Sequence, residues 1–384
     1  MAGRPSRVMT VFGTRPEAIK MAPVVFALRE CADIEPLTVV TAQHRGLLDD
    51  VLTVFEIVPD VDLDLMLPDQ TLAQLTARVL TSMDETFQRL QPDMVLAQGD
   101  TTTVMSTAMA CFYRGIPFGH VEAGLRTGNR RMPFPEEVNR VVAGVVADLH
   151  FAPTATARDN LLREGVEEDA VLVTGNTVID ALLRVAELDV PLPMDLAESE
   201  RLILLTAHRR ESFGAPLREA FTAIRRIVER NDDVRVLYPV HPNPHVVAAA
   251  QDVLGDHPRV QLVPPLDYPT FVATMKRSTL ILTDSGGVQE EAPALAKPVL
   301  VLRDETERPE AVDAGVVRLV GPHADAIETW TQRLLDDPVL YTQMATGASP
   351  YGDGLASGRI VGRLQEYFQS TAVGGVVSRD TVRP

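Results

Sequence analysis

Two doubly wound α/β domains, each a parallel sheet covered by helices, are the fold class that this sequence predicts. Three observations lead there. Short β-branched runs alternate with longer helical patterns along most of the chain, which is the βαβα order of a parallel sheet. The runs, such as VMTVF, are apolar without alternation, as strands buried on both faces are. The length of 384 residues suits two domains of roughly 150–200 residues each.

In the first series, strands are predicted at Val8–Phe12, Leu37–Thr41, Met94–Gln98, Phe118–Val121, His150–Phe151 and Val171–Thr174. Helical patterns lie between them at Pro16–Glu30, Arg45–Phe55, Thr71–Leu90, Thr101–Arg114, Glu136–Ala147 and Ala155–Glu164. The second series has strands at Leu202–Thr206, Arg235–Pro239, Val260–Leu262, Leu280–Leu282 and Val299–Leu302. Its helices run through Leu217–Glu229, Pro244–Leu254, Tyr268–Lys276, Val288–Leu295 and Ala324–Leu335. Between the series, the stretch from Ala186, AELDVPLPMDLAESE, holds two prolines and several acids without a strong period, the composition of a linker. The expected organisation is therefore a Rossmann-like domain over 1–186, a linker over 187–200, a second Rossmann-like domain over 201–365 and a tail over 366–384 whose end is disordered. Ligands of open parallel sheets bind outside the carboxyl ends of the strands. Polar constellations fall at those ends in both series, so a site in a cleft between the domains is expected.

The formal net charge of −17 argues against a nucleic-acid or anionic-membrane surface. It leaves room for an anionic small ligand, which needs only a local cluster of donors. Cys31 and Cys111 lie in apolar helical patterns and read as buried free thiols, with no disulfide framework or metal site. There is no signal-peptide core and no apolar run of about 18 residues, so the expected compartment is the cytoplasm.

Seven motifs carry chemistry. Gly13-Thr14-Arg15-Pro16-Glu17 follows the first strand, with Lys20 one turn into the helix. Arg15 is placed where a helix N-terminus favours anions, and Lys20 would add positive potential; the plainer reading is a helix start with a solvated Arg. The motif is not the GxGxxG dinucleotide fingerprint. Gln98-Gly99-Asp100-Thr101-Thr102-Thr103 follows a strand and opens a helix. Asp100 reads either as a helix cap or as a carboxylate aimed into a site. In His120-Val121-Glu122-Ala123-Gly124, a strand ends in an acid and a glycine turn. In Pro133-Phe134-Pro135-Glu136-Glu137 with Asn139 and Arg140, two acids open a helix; a surface pair between Glu136 and Arg140 is the plainer reading. Acid groups gathered together favour an active site.

In the second half, Thr206-Ala207-His208-Arg209-Arg210-Glu211 ends a strand. His208 there would donate to a phosphate or assist proton transfer. Asp284-Ser285-Gly286-Gly287-Val288-Gln289-Glu290-Glu291 joins a strand to a helix. Bare amides and the Ser285 hydroxyl suit a diphosphate, and Glu291, a turn further on, suits ribose hydroxyls. It is no P-loop, because no Gly-Lys-Ser/Thr follows. The charged loop Arg303–Glu310 contains Arg308, a partner for phosphates or sugar hydroxyls, although such runs are usually solvated.

Together these motifs resemble the non-hydrolysing UDP-N-acetylglucosamine 2-epimerase family. The likeness runs from Val8 to about Gln365 and includes FGTRPEAIKMAP, TAQHR, GDTTT, GHVEAGLRTG, PEEVNR, TGNTVIDAL, HRRESFG, YPVHPNP, LTDSGGVQEEAP and KPVLVLRDETERPE. It implies the GT-B fold of nucleotide-sugar glycosyltransferases. It also implies inversion at carbon 2 of UDP-N-acetylglucosamine, to UDP-N-acetylmannosamine, by elimination of UDP to 2-acetamidoglucal and re-addition, with no cofactor and no metal. The family's acid–base carboxylates fall on Asp100, Glu122 and Glu136, its histidine on His208, and an arginine near the sugar on Arg140. UDP contacts fall on Arg15, Lys20, Ser285, Gly286, Gly287, Glu291 and Arg308, with Phe271 near the uracil. A second, activating substrate site of some members matches Gln43, Glu136, Arg209 and His241, but Gly46 and Asp69 depart from its pattern. A homodimer is the family's expectation. The alternatives are the hydrolysing relative, which releases N-acetylmannosamine and UDP, and a GT-B glycosyltransferase.

Overall fold

In the first unit, fully apolar runs form the centre of one parallel sheet. Its strands are β1 (Ser6–Phe12), β2 (Ile34–Val40), β3 (Val61–Asp62), β4 (Met94–Gln98), β5 (Phe118–Val121), β6 (Leu149–Ala152) and β7 (Val171–Val173). They lie in the order β3-β2-β1-β4-β5-β6-β7, with every neighbouring pair parallel. The computed structural model describes residues 4–42, 45–67, 69–209 and 213–373. Helices α1 (Arg15–Arg29), α2 (Arg45–Val54), α3 (Leu72–Leu90), α4 (Thr102–Arg114), α5 (Glu136–Val146), α6 (Ala155–Arg163) and α7 (Thr177–Ala186) connect the strands or follow the last of them. Met9, Val11, Val95 and Ala97 from the central strands pack with Leu75, Val79, Met83 and Phe87 of α3 and Val104 and Ala108 of α4.

The second unit repeats the plan. Strands β8 (Arg201–Thr206), β9 (Val234–Pro239), β10 (Val260–Val263), β11 (Leu280–Thr283), β12 (Val299–Val301) and β13 (Val317–Leu319) lie in the order β10-β9-β8-β11-β12-β13. All are parallel. Its helices are α8 (Ala215–Arg230), α9 (Pro244–Leu254), α10 (Tyr268–Arg277), α11 (Gly286–Glu291), α12 (Pro309–Asp313), α13 (Ala324–Asp336) and α14 (Pro338–Met344). Ile203, Leu205, Val236 and Leu282 of the strands pack with Phe221, Ile224, Ile327 and Leu334 of α8 and α13. No helix among the described residues is long and apolar enough to cross a membrane.

Each sheet reverses its winding at one place, between β1 and β4 in the first and between β8 and β11 in the second. At such a point adjacent connections run to opposite faces and leave a crevice at the carboxyl ends. The turns after β1 and β4 begin at Gly13 and Gly99, and those after β8 and β11 at Ala207 and Asp284.

The chain does not divide as the sequence suggested. The first unit ends at Ala181, inside α7, and regains the chain from Gly354 onward. Residues 354–365, expected in the second domain, and 366–373, expected in a tail, form α15 (Ala356–Val373) and pack on α1. Asp180 fastens the start of α15: its Oδ1 accepts from Ser357 N at 2.8 Å and Ser357 Oγ at 2.6 Å, and its Oδ2 from Ala356 N at 3.2 Å. Arg359 Nη1 donates to Thr174 O at 2.9 Å, and Ile360, Val361 and Leu364 are buried. The expected linker, 187–200, is irregular as anticipated but belongs to the second unit, where Met194 packs on Leu202 and Leu237 and Pro193 O accepts from Gln261 Nε2. Cys111 is buried; Cys31 is only half-buried, and neither is in a disulfide.

Asp180 thus serves as the N-terminal cap of a helix far away in sequence. Asp180→Ala leaves those donors without their acceptor, and a charged hydrogen-bond acceptor is worth about 1.5–3 kcal/mol. Urea denaturation is expected to show a loss of about 2 kcal/mol in the variant.

Candidate active site

The first crevice is built by close approach of three turns. Gly13 ends β1 where a Cβ would lie 2.0 Å from Thr41 Oγ1 and 3.0 Å from Thr103 Oγ1, so only glycine fits. Thr14 and Glu17 cap α1 reciprocally. Glu17 Oε2 accepts from the Gly13 and Thr14 amides at 3.0 and 2.7 Å, and Oε1 from Thr101 Oγ1 at 2.6 Å. Burial raises the Glu17 carboxyl above its usual range despite these bonds. Glu17 is therefore a tie between the turns after β1 and β4. Arg15, beside it at the first position of α1, is half-exposed and has no ion pair among the described residues.

Asp100 does not cap α4; Thr101 does, accepting from Val104 N at 3.3 Å. The Asp100 carboxylate is left to face Arg140, whose Nη2 lies 2.6 Å from Oδ2. Asn139 Nδ2 donates to Asp100 O at 2.9 Å, so two residues of α5 fix this turn. Arg140 also lies 3.6 Å from Glu137 Oε2, while Glu137 accepts from the Thr127 and Gly128 amides at 3.0 and 2.9 Å. The Glu136–Arg140 surface pair, the plainer alternative for these residues, does not form. Glu136, the first residue of α5, has no ion pair among the described residues and is half-exposed.

Glu122 follows β5 at φ 62°, a left-handed conformation uncommon outside glycine that tends to mark functional sites. The next turn passes so close to α6 that a Cβ on Gly124, at φ +88°, would lie 2.1 Å from Ala157 O. Glu122 Oε2 accepts from Lys20 Nζ at 2.5 Å and Asn176 Nδ2 at 2.9 Å. The ammonium of Lys20, expected at a diphosphate, is thus held against a carboxylate of its own unit. Burial raises the Asp100 carboxyl above its ordinary range; Arg140 and Lys20 pull it down, and the like charges of Glu122 and Glu136 push it further up. Asp100, Glu122, Glu136, Lys20 and Arg140 therefore form one interacting cluster.

In the second crevice, Asp284 at the end of β11 accepts from the His208 and Arg209 amides at 2.7 and 2.8 Å, and His208 Nδ1 lies 3.3 Å from its other oxygen. Thr206 and Thr283 meet at 2.5 Å through their hydroxyls. The His208 ring stacks on His241, with centroids 5.5 Å apart and 11° between planes. Ser285 occupies the cap position of α11 without a side-chain cap bond. A Cβ on Gly286 would meet only Arg209 Nη2, at 3.8 Å, and one on Gly287 only Ser285 Oγ, at 3.9 Å. Among the described residues nothing else comes within 4 Å of either position.

The charged loop folds back on α11. Thr306 Oγ1 donates to Gln289 Oε1 at 2.6 Å, and Arg308 Nε donates to Glu290 Oε1. Burial pushes the Glu307 carboxyl up, but Arg303, Arg209 and Arg308 outweigh it and hold it below the usual range. Thr306 and Arg308 thus tie the loop to α11, while Asp304, Glu305 and Glu307 stay exposed. Glu291 is buried and accepts from Tyr268 OH at 2.9 Å. Phe271 is half-buried in the first turn of α10. Of the expected second substrate site, Arg209 and His241 lie at this crevice, and Gln43 falls outside the described residues.

Sequence reasoning did not single out Asn176, Asn139, Glu17 or Asp284. Each lies within or beside a recognised motif, at a strand–turn–helix junction; the missing signal was which buried partner its side chain reaches.

Two histidines lie beneath the first crevice. His120 and His150 are register partners on β5 and β6. His120 Nε2 is 2.7 Å from Gly99 O, and Nδ1 of each ring is buried without a hydrogen-bond partner. Burial, above all, lowers both to about 4. Their folded values lie below the ordinary value of about 6.5, so both rings stay neutral while an unfolded chain would take up protons. Stability is expected to be full above about pH 6.5 and to fall as pH drops through about 4. For His120 the difference is on the order of 3 kcal/mol once acidification is complete. NMR at about pH 5.5 should find both rings neutral, where free histidine is mostly protonated; protonated rings in the folded protein would contradict this.

Comparison with known proteins adds a family to this geometry. Residues 27–365 match the family model described as UDP-N-acetylglucosamine 2-epimerase. The protein of that name from Bacillus subtilis is 54% identical over 363 residues, which cover 94% of this chain and 96% of its own length. A structure of S. aureus MnaA with UDP is 47% identical with a TM-score of 0.86, covering 96% of this chain and 98% of that one. The Neisseria meningitidis UDP-GlcNAc 2-epimerase bound to UDP-GlcNAc is 44% identical with a TM-score of 0.83, covering 94% and 100%. The fold, two helix-covered parallel sheets, is of the GT-B type.

Proposed function

This chain belongs to the UDP-N-acetylglucosamine 2-epimerase family of isomerases, and we propose that it interconverts UDP-N-acetylglucosamine and UDP-N-acetylmannosamine by eliminating UDP and adding it back. The carbon-2 proton of the sugar is not acidic, because no carbonyl is attached to that carbon. A base takes the proton, the C–H electron pair becomes the C1–C2 double bond, and the C1–O bond breaks to release UDP. The 2-acetamidoglucal stays bound. UDP then adds to carbon 1 while an acid delivers a proton to the opposite face of carbon 2.

The observation that carries this reading is the cluster of Asp100, Glu122 and Glu136, from the turns after β4 and β5 and the start of α5. Inversion needs a group that takes a proton and a second that gives one, on different faces. A carboxyl raised by burial and by its acidic neighbours is suited to hold a proton that its partner lacks. Arg140 would steady the sugar. The departing diphosphate falls to the second unit: Ser285 and the amides of Gly286 and Gly287, with Arg209, Arg308 and His208, supply donors for the growing negative charge. Arg15, without an ion pair among the described residues, is a candidate cation for a phosphate, and Phe271 a candidate surface for the uracil. The UDP-sugar bound to the Neisseria meningitidis protein supports this choice of substrate.

NMR of UDP-N-acetylglucosamine incubated with the protein alone in D₂O tests the proposal. Deuterium is expected at carbon 2, with a growing manno product. No exchange would overturn it in favour of a transferase that awaits an acceptor, and steady release of free UDP would instead mark the hydrolysing reaction. Asp100→Asn and Glu122→Gln are each expected to lose about 10²–10⁴ in turnover while UDP still binds; full activity in both would remove them from the chemistry. Ser285→Trp should fill the space over Gly286 and abolish UDP binding in calorimetry, and unchanged affinity would move the diphosphate elsewhere.

A further inference from the structure

The amide of Asn176 is held from both ends. Its Oδ1 accepts from Val178 N at 3.1 Å, at the start of α7. Its Nδ2 donates to Glu122 Oε2 at 2.9 Å. Asn176 is 4% exposed, so both ends need partners within the protein. The backbone N–H of Val178 can only donate. It therefore decides which end of the amide is the oxygen, and the NH₂ must face the carboxylate.

Glu122 depends on that donor more than a surface acid would. Its backbone sits at φ 62°, a sparsely populated conformation for a residue with a side chain. Its Oε2 receives both Nδ2 of Asn176 and Nζ of Lys20. The pair of donors comes from α1 and from the junction between β7 and α7, on opposite sides in chain order. Donors on a carboxylate oxygen favour the ionised form over the acid, and donors from two elements fix where the oxygens lie.

We propose that Asn176 is a positioning residue for Glu122, keeping it ionised and aimed as the group that receives the carbon-2 proton. This rests on Glu122 being an acid–base group of the epimerisation. The roles of the acids then divide. Glu122 carries two donors and enters the cycle as carboxylate; Asp100, more easily protonated through burial and the neighbouring negative charge, enters as acid. Proton transfer from carbon 2 to Glu122 leaves the C–H electron pair in the sugar, and the pair of electrons in the C1–O bond leaves with UDP.

Two substitutions separate positioning from helix capping. Asn176→Asp keeps an oxygen for the Val178 amide and replaces the donor with a negative charge. Asn176→Ser keeps a capping oxygen and removes the donor without adding charge. Serine caps helices about as well as asparagine, so Asn176→Ser is expected to melt close to wild type; Asn176→Asp sets a second buried carboxylate against Glu122 and is expected to melt lower. With UDP-N-acetylglucosamine as substrate, kcat should fall about 10- to 100-fold with little change in KM. The acid limb of the kcat–pH profile should move upward, by about one unit for Asn176→Asp and less for Asn176→Ser. If the aspartate variant does not fold, the serine variant carries the same comparison. An acid limb left in place in the folded variants overturns the proposal, because a cap alone predicts that result. Absence of carbon-2 exchange in the wild-type protein would instead remove the epimerase reading itself, so the two failures are distinguishable.

Discussion

Acidic groups crowded at neighbouring strand ends cannot all remain ionised out of water unless cations are built among them, and that constraint organises the first unit. Asp100 has Arg140, and Glu122 has Lys20. Glu136 stays nearer solvent without an ion partner among the described residues. Neither cation comes from the strand that carries its acid: one rises from α5, the other from α1. The turns must consequently be held at close range, which accounts for the glycine at position 13 and for Glu17, spent entirely on tying two turns together. Loosening these ties would leave buried charge uncompensated, which costs far more than a surface pair returns.

The second unit answers a different requirement. Its crevice is assembled around one buried carboxylate, Asp284, one of whose oxygens, Oδ2, accepts from both amides of the His208–Arg209 turn. The acid fixes that turn, and the turn brings a guanidinium to Gly286. The Thr306–Gln289 and Arg308–Glu290 bonds then draw the charged loop onto the same helix. Arg209 and Arg308 thereby both reach α11 in a protein of net charge −17.

Both sheets were legible because central strands buried on both faces read as unbroken apolar runs. The edge strands β3 and β13 span only two and three residues and were missed, although the equally short β7 and β12 were read. Helix α15 was misassigned because sequence neighbours usually pack together, whereas Asp180 draws this helix back to the first sheet. At the site, the residue types were readable and their partners were not. Lys20 is near Arg15 in sequence, but five residues turn a helix by about 140°, and its ammonium goes to Glu122. Arg140 has the spacing to pair with Glu136, yet turns to Asp100, since a desolvated carboxylate gains more from a cation than a hydrated one does. Asn176 stood only within the stretch TGNTVIDAL, because nothing local indicates that its amide reaches Glu122.

The coupling between Asp100 and Glu122 has a consequence for the proposed reaction. The charge of Glu122 raises the proton affinity of Asp100, and such an interaction is reciprocal, so the two titrate as a pair. When Glu122 accepts the carbon-2 proton its charge vanishes, and the carboxyl of Asp100 becomes a stronger acid at that moment. Arg140, already beside Asp100, favours the carboxylate that remains after the proton is given up. Uptake on one face therefore promotes delivery from the other without any group moving. The end state, Glu122 protonated and Asp100 ionised, mirrors the starting one, which is the property a reversible epimerase needs in order to run in both directions from a single site.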